Sequence, residues 1–199
     1  MRRLSPQTLI LYKILFMQQL EELKTVIDSV SLEVKNTFSN LSSEQLNRKP
    51  SPESWSIGQV LDHMIVINES YHIVVQNVRN GFYKAGWLGN RKMITDFWFN
   101  MIYKSIHPDN RKKSKTQTIW EPSESDVDAD IVQQFLDQQE RLKKLMDDSN
   151  DLVLSNTVIH SPAAKLITYT IGDAFKIIAA HEQRHLIQAK EVLKKILQN

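Results

Sequence analysis

An all-α fold, a four-helix bundle, is predicted for this 199-residue chain by three observations. Four long segments carry apolar residues at steps of three and four, the period of one helical face. No internal repeat, βαβ alternation or glycine-rich phosphate loop appears anywhere. One long, aromatic-rich connection joins the second and third of these segments, as a bundle with one irregular crossing would require.

The first helix is predicted over about 18–38, on Leu20, Leu23, Ile27, Val30, Val34 and Phe38. Ser42 and Gln45 then form a capping-box pattern, so a short helical turn is expected before Lys49-Pro50-Ser51-Pro52 breaks the chain. The second helix has a well-marked start. Ser56 and Gln59 make a capping box, and Trp55 and Val60 occupy the hydrophobic-staple positions. Its stripe runs through Ile57, Val60, Leu61, Met64, Ile67, Tyr71, Val74 and Val78 to a stop at Arg79-Asn80-Gly81.

Residues 80–120 hold half of the aromatic residues: Phe82, Tyr83, Trp87, Phe97, Trp98, Phe99, Tyr103 and Trp120. A connection of this length usually carries structure or function of its own, and a short helix is expected near 94–105. The third long helix is predicted over about 130–148, on Ile131, Phe135, Leu142, Leu145 and Met146. The stretch 150–168 is mixed, with Ser161-Pro162 as a breaker and no confident strand; the fourth helix follows from about Ile171 to Leu197.

Composition excludes several classes of function. The formal charge is +2, from 25 basic and 23 acidic residues, which gives no electrostatic case for a nucleic-acid binder. The basic run from Arg111 to Lys115 reads as a solvated loop. With no cysteine, the chain has no disulfide, no thiolate ligand and no sulfur nucleophile of its own. The apolar run Leu9 to Phe16 after Arg2 and Arg3 superficially resembles a signal peptide, but Lys13 interrupts it and no small-residue cleavage site follows. No stretch approaches the ~20 apolar residues of a membrane span. The expectation is a cytoplasmic protein, with residues 1–16 as an N-terminal extension and 17–199 as one helical domain.

The most informative motif is His181-Glu182-Gln183-Arg184-His185. Residues at i and i+4 share one helix face, so both imidazoles can reach one metal ion. On a helical wheel at ~100° per residue, His185 falls roughly 30° and His181 roughly 70° from the centre of the apolar face. Glu182 also points inward, and a buried carboxylate between two histidines argues for a polar or metal-containing cavity. The letters match the HExxH pattern of zinc proteases, whose third ligand comes from downstream. Here Glu191 lies about 120° round the helix from His185 and cannot converge with the pair. Upstream, His63 flanks the second helix's apolar stripe, with Gln59, Val66 and Ser70 on its face. His63, His181 and His185 would make a three-imidazole site with open positions, the arrangement a catalytic metal needs. His72, His107 and His160 are read as structural or solvent-facing, at helix-surface or loop positions.

Trp55-Ser56-Ile57-Gly58-Gln59-Val60-Leu61-Asp62-His63 together with His181-Glu182-Gln183-Arg184-His185-Leu186-Ile187-Gln188 resembles the paired signatures of the DinB-like (YfiT-like) superfamily, over roughly residues 18–198. The resemblance implies a four-helix bundle in which a second-helix His and an HxxxH pair of the last helix bind a divalent metal, commonly zinc or nickel. Those positions match His63, His181 and His185. Some relatives are small-thiol S-transferases using bacillithiol or mycothiol, or thiol-dependent isomerases, and family members often form homodimers.

These readings lead to a metal-dependent enzyme acting on a small molecule, of the thiol S-transferase type. Glu182 and Gln188 are the candidates to orient or deprotonate the incoming group, and Glu182 could equally support a ligating imidazole. The alternatives are a non-catalytic metal- or ligand-binding bundle protein and a metal-dependent hydrolase. Neither a nucleic-acid nor a membrane partner is expected. In the transferase reading, aromatics of residues 80–120 would wall an apolar pocket beside the metal.

Overall fold

The computed structural model describes residues 5–110, 112, 116–122 and 126–198. Arg2 and Arg3, and Arg111, Lys113 and Lys115 of the basic run, lie outside the described residues. The fold is mostly helical. The first helix, α1, runs Pro6–Phe38 and so starts three turns earlier than the periodicity suggests. Its start is local chemistry: Ser5 accepts from the Thr8 N–H, and Pro6 sits where its missing N–H costs nothing. These added turns leave Ile10, Leu11, Ile14 and Leu15 exposed, which is why their pattern does not read as a core face; burial in the core begins at Leu20.

Helix α2 (Ser43–Asn47) forms with both halves of the Ser42/Gln45 capping box made. Helix α3 (Ile57–Arg79) repeats the device with Ser56 and Gln59. Gly58 lies in the first turn of α3, and a Cβ there would stand 2.1 Å from Val127 Cγ2 and 3.3 Å from the Leu46 carbonyl oxygen. Glycine is therefore what lets α2, α3 and the segment before the next long helix come together. Gly81, at φ 74°, closes α3 in the left-handed conformation that favours glycine.

Helix α4 (Lys92–Ile106) lies in the aromatic-rich connection, and a 3₁₀ turn, Thr118–Trp120, follows it. Helices α5 (Ile131–Asp148) and α6 (Asn150–Leu154) come next. The stretch before the last helix departs from expectation. It folds as an antiparallel hairpin of β1 (Val158–Ser161) and β2 (Ala164–Thr170), so a strand does precede the histidine motif. Ser161-Pro162 opens the hairpin turn; as a breaker it ends a strand and does not end the ordered structure. The hairpin pairs Ile159 with Tyr169 and His160 with Thr168, with the register shifting at Ser161. Its β-branched residues and tyrosine suit a pleated surface, but the segment is too short to show a clear alternation.

Helix α7 (Ile171–Gln198) follows β2 without a linking residue. Thr170 begins it by accepting the Asp173 N–H at 3.1 Å. Helices α1 and α3 each pack against both α5 and α7. Between them lie two apolar clusters, one around Ile27, Tyr71, Leu142, Phe175 and Ile178, the other around Phe38, Leu61, Met64, Phe135 and Ala189. No helix of the described residues is long and apolar enough to cross a membrane.

Candidate metal centre

Three imidazoles from two helices converge. His181 and His185 stand one turn apart on α7 with ring centroids 4.2 Å apart; His63 of α3 faces them at 5.3 and 4.7 Å. Their nearest ligand nitrogens all lie within 4.8 Å of one another. Nitrogens bound at ~2.0–2.1 Å around one ion stand somewhat over 3 Å apart, so small side-chain movements bring the set to ligand geometry.

Two features fit the histidines to a cation. His63 Nδ1 lies 2.6 Å from the Trp120 carbonyl oxygen. A carbonyl only accepts, so Nδ1 carries the proton and the Nε2 lone pair is left for a ligand. Among the described residues His185 Nδ1 is buried with no hydrogen-bond partner, an arrangement that costs free energy unless something else occupies that lone pair or proton.

The electrostatics keep all three rings neutral, as metal ligation requires. Burial pushes the His181 pKa well below the usual histidine value, helped by the charges of His185, His63 and Arg184. Burial, with His63 and Arg184, takes His185 down to about 3, opposed by a side-chain hydrogen bond with Gln188. Burial also lowers His63, opposed by its bond to Trp120 and by Asp62. Such shifts together in one place are a mark of functional sites.

The surroundings come from scattered elements. Trp55 lies 4.8 Å from the His63 ring and stacks at 6.4 Å on His185, so the staple residue also walls the site. Arg184, on the turn between the two α7 histidines, donates to the carbonyls of Ser105, Asn110 and Lys112. Glu182 is fully buried. Its Oε1 accepts from Asn68 Nδ2 at 2.7 Å and from Gln139 Nε2 at 2.9 Å, while Gln138 takes bonds from both amides. Burial raises the Glu182 pKa to about 7 against these two hydrogen bonds. Its described hydrogen bonds thus go to α3 and α5, not to the imidazoles. Gln188 is half-buried one turn beyond His185.

The remaining histidines stay outside the cluster. His107 and His72 are half-buried. His160 is a correction to the surface or loop placement: it is buried in β1, with Nδ1 bonded to the Ser161 carbonyl and its ring against Tyr83. Of the aromatics of residues 80–120, Trp120 is the one whose contact with a histidine of the cluster is described, through its main chain. Phe82, Trp87 and Phe97 are exposed.

Sequence reasoning missed Trp55 as a wall, the Trp120 carbonyl, the Arg184 clamp and the amides around Glu182. One of these had a readable signal. The apolar stripe of α5 passes from Phe135 to Leu142 and skips a turn, and Gln138 and Gln139 fill that turn at full burial.

The chain is mostly helical, with three imidazoles from two helices grouped so that they could hold a metal ion through nitrogen donors. The family model of the DinB superfamily matches residues 33–189, and the chain belongs to that superfamily. It is also similar to the uncharacterized protein YuaE of Bacillus subtilis (strain 168), at 26% identity over 176 residues, covering 86% of this chain and 98% of that protein. No solved structure matches the chain.

Proposed function

We propose that this protein is a metal-dependent enzyme that transfers a small thiol to an electrophilic carbon, with zinc or nickel held by His63, His181 and His185. The observation that carries the reading is the convergence of three neutral imidazoles, one with its tautomer set by a main-chain carbonyl. A bound divalent cation would supply a net positive centre that stabilises a thiolate or lowers the pKa of water towards ~7. The chain has no cysteine, so the sulfur arrives on a cofactor such as bacillithiol.

In this reading the chain's residues orient the reactants and handle the proton. Trp55 offers the apolar surface beside His63 and His185. Gln188 orients the incoming group next to His185. Glu182 Oε2, which has no hydrogen-bond partner among the described residues, is assigned as the acceptor of the thiol proton. The sulfur then bonds to the electrophilic carbon, and the leaving group departs with its electron pair.

The packing of α1 and α3 on α5 and α7 supports a four-helix bundle within residues 17–199, and we assign residues 1–16 as an N-terminal extension, within which 6–16 form the first turns of α1. A homodimer and a cytoplasmic location complete the proposal.

The test is elemental analysis of untagged protein, then incubation of metal-loaded protein with bacillithiol and monochlorobimane, with His63→Ala as control. Turnover by wild type alone supports the transferase. Equal rates from wild type, variant and buffer across several small thiols would overturn it in favour of a hydrolase or a non-catalytic binding protein.

A further inference from the structure

The segment joining α4 to α5 is tied to both helices that carry the histidines. At its start Arg184 of α7 holds the Ser105, Asn110 and Lys112 carbonyls, and Asn110 donates its side-chain amide to the Lys104 and Ser105 carbonyls at the end of α4. Further on, the Trp120 carbonyl accepts from His63 Nδ1, while the Trp120 Nε1–H donates to Ser70 Oγ two turns along α3. The Trp120 ring packs against the apolar core. One residue is thus anchored by its side chain and uses its main chain to hold a ligand imidazole.

We propose that Trp120 is a positioning residue of the metal centre, so that metal affinity and the order of residues 116–122 are coupled; this rests on the metal-binding reading above. A ligating imidazole whose other nitrogen is held by a carbonyl is fixed in tautomer and orientation and is a stronger donor, and losing such a partner commonly costs 10–100-fold in metal affinity. Coupling is reciprocal. If the seated segment strengthens metal binding by some factor, the metal favours the seated segment by the same factor. The Trp120 and Glu121 amides, bonded to the Gln117 and Thr118 carbonyls, are the reporters of that seating.

The experiment is a zinc titration against a competing chelator for wild type, Trp120→Ala and Trp120→Phe, with hydrogen exchange of the wild-type full chain with and without zinc. The expected result is that zinc slows exchange at Trp120 and Glu121, and that Trp120→Ala binds zinc at least tenfold more weakly. Trp120→Phe, which keeps the ring in the core, should restore most of the affinity. A merely structural tryptophan would lower stability without moving zinc affinity. Unchanged exchange at these amides, or a folded Trp120→Ala variant with wild-type affinity, overturns the coupling and leaves the metal centre standing. Should Trp120→Ala fail to fold, the wild-type exchange comparison decides. Wild type that binds no zinc overturns the metal centre and the coupling together.

Discussion

Asn68 of α3 and Glu182 of α7 meet through a 2.7 Å hydrogen bond at the centre of the helical core, where Glu182 has no exposed surface. With Gln138 and Gln139 from α5 they form a buried polar layer. Such a layer rigidifies and specifies a core when satisfied and is costly where it is not. The carboxylate therefore makes its own contribution to the pH dependence of the fold.

The Glu182 carboxyl titrates at about 7 in the fold against 4.5 ordinarily, so the folded state binds more protons across that window. Taken alone, this carboxyl contributes stability that is whole below pH 4.5 and is lost as pH rises through 7. Glu182→Gln keeps an acceptor for Asn68 and Gln139 and has no charge to bury. It should be the more stable protein at pH 8 by an amount of order 3 kcal/mol, read from urea midpoints, and indistinguishable from wild type near pH 4.5.

The imidazoles act in the opposite sense. Their pKa values are depressed in the fold, with His185 at about 3, so below the ordinary value of 6.5 the unfolded chain takes up protons that the folded chain refuses. Their contribution is whole above pH 6.5 and is lost as pH falls towards 3. Three rings outweigh one carboxyl where the windows overlap. Metal-free wild type should therefore lose stability steadily below pH 6, and His185→Ala should show a shallower slope on that acid arm.

Metal occupancy should appear as stability. A cation that binds only the folded state adds ~2.7 kcal/mol at a hundredfold excess over its Kd. Melting of wild type should shift upward with added zinc and return with chelator. Single Ala substitutions at His63, His181 or His185 should abolish stoichiometric binding and the shift together. Equal melting of wild type with and without chelator would count against a site of useful affinity.

Gly58 offers a test of packing away from the site. A Cβ there would lie 2.1 Å from Val127 Cγ2, so Gly58→Ala forces an overpacked contact that typically costs about 1–3 kcal/mol. Adding Val127→Ala should recover most of that loss. Additive losses in the double variant would place the cost in the backbone instead.

The parts of this molecule written in local chemistry were legible before its structure. The capping boxes of Ser42 and Ser56 begin their helices as read, and the glycine after Arg79-Asn80 ends α3. The histidine triad was legible because helical period alone puts His181 and His185 on one face and His63 on a flank. What escaped depends on contacts between distant segments. Trp120 reaches His63 from 57 positions away through its main chain, which any residue possesses, so its identity carried no signal. Strands β1 and β2 are short and paired only to each other, and three turns of α1 bury too little to leave a stripe.

Thr170 is the last residue of β2 and Ile171 the first of α7, so the hairpin and the histidine helix are one continuous mechanical part. Tyr169 anchors that part through a 2.8 Å bond to Tyr71 of α3, the same helix that carries His63. The hairpin behaves like the indexing pin of a dial: it sets the rotational phase at which α7 leaves the sheet. One residue inserted or deleted between Thr170 and His181 would turn both α7 imidazoles ~100° away from His63 without touching a ligand. Length changes in this short stretch are therefore as damaging to the centre as loss of a histidine.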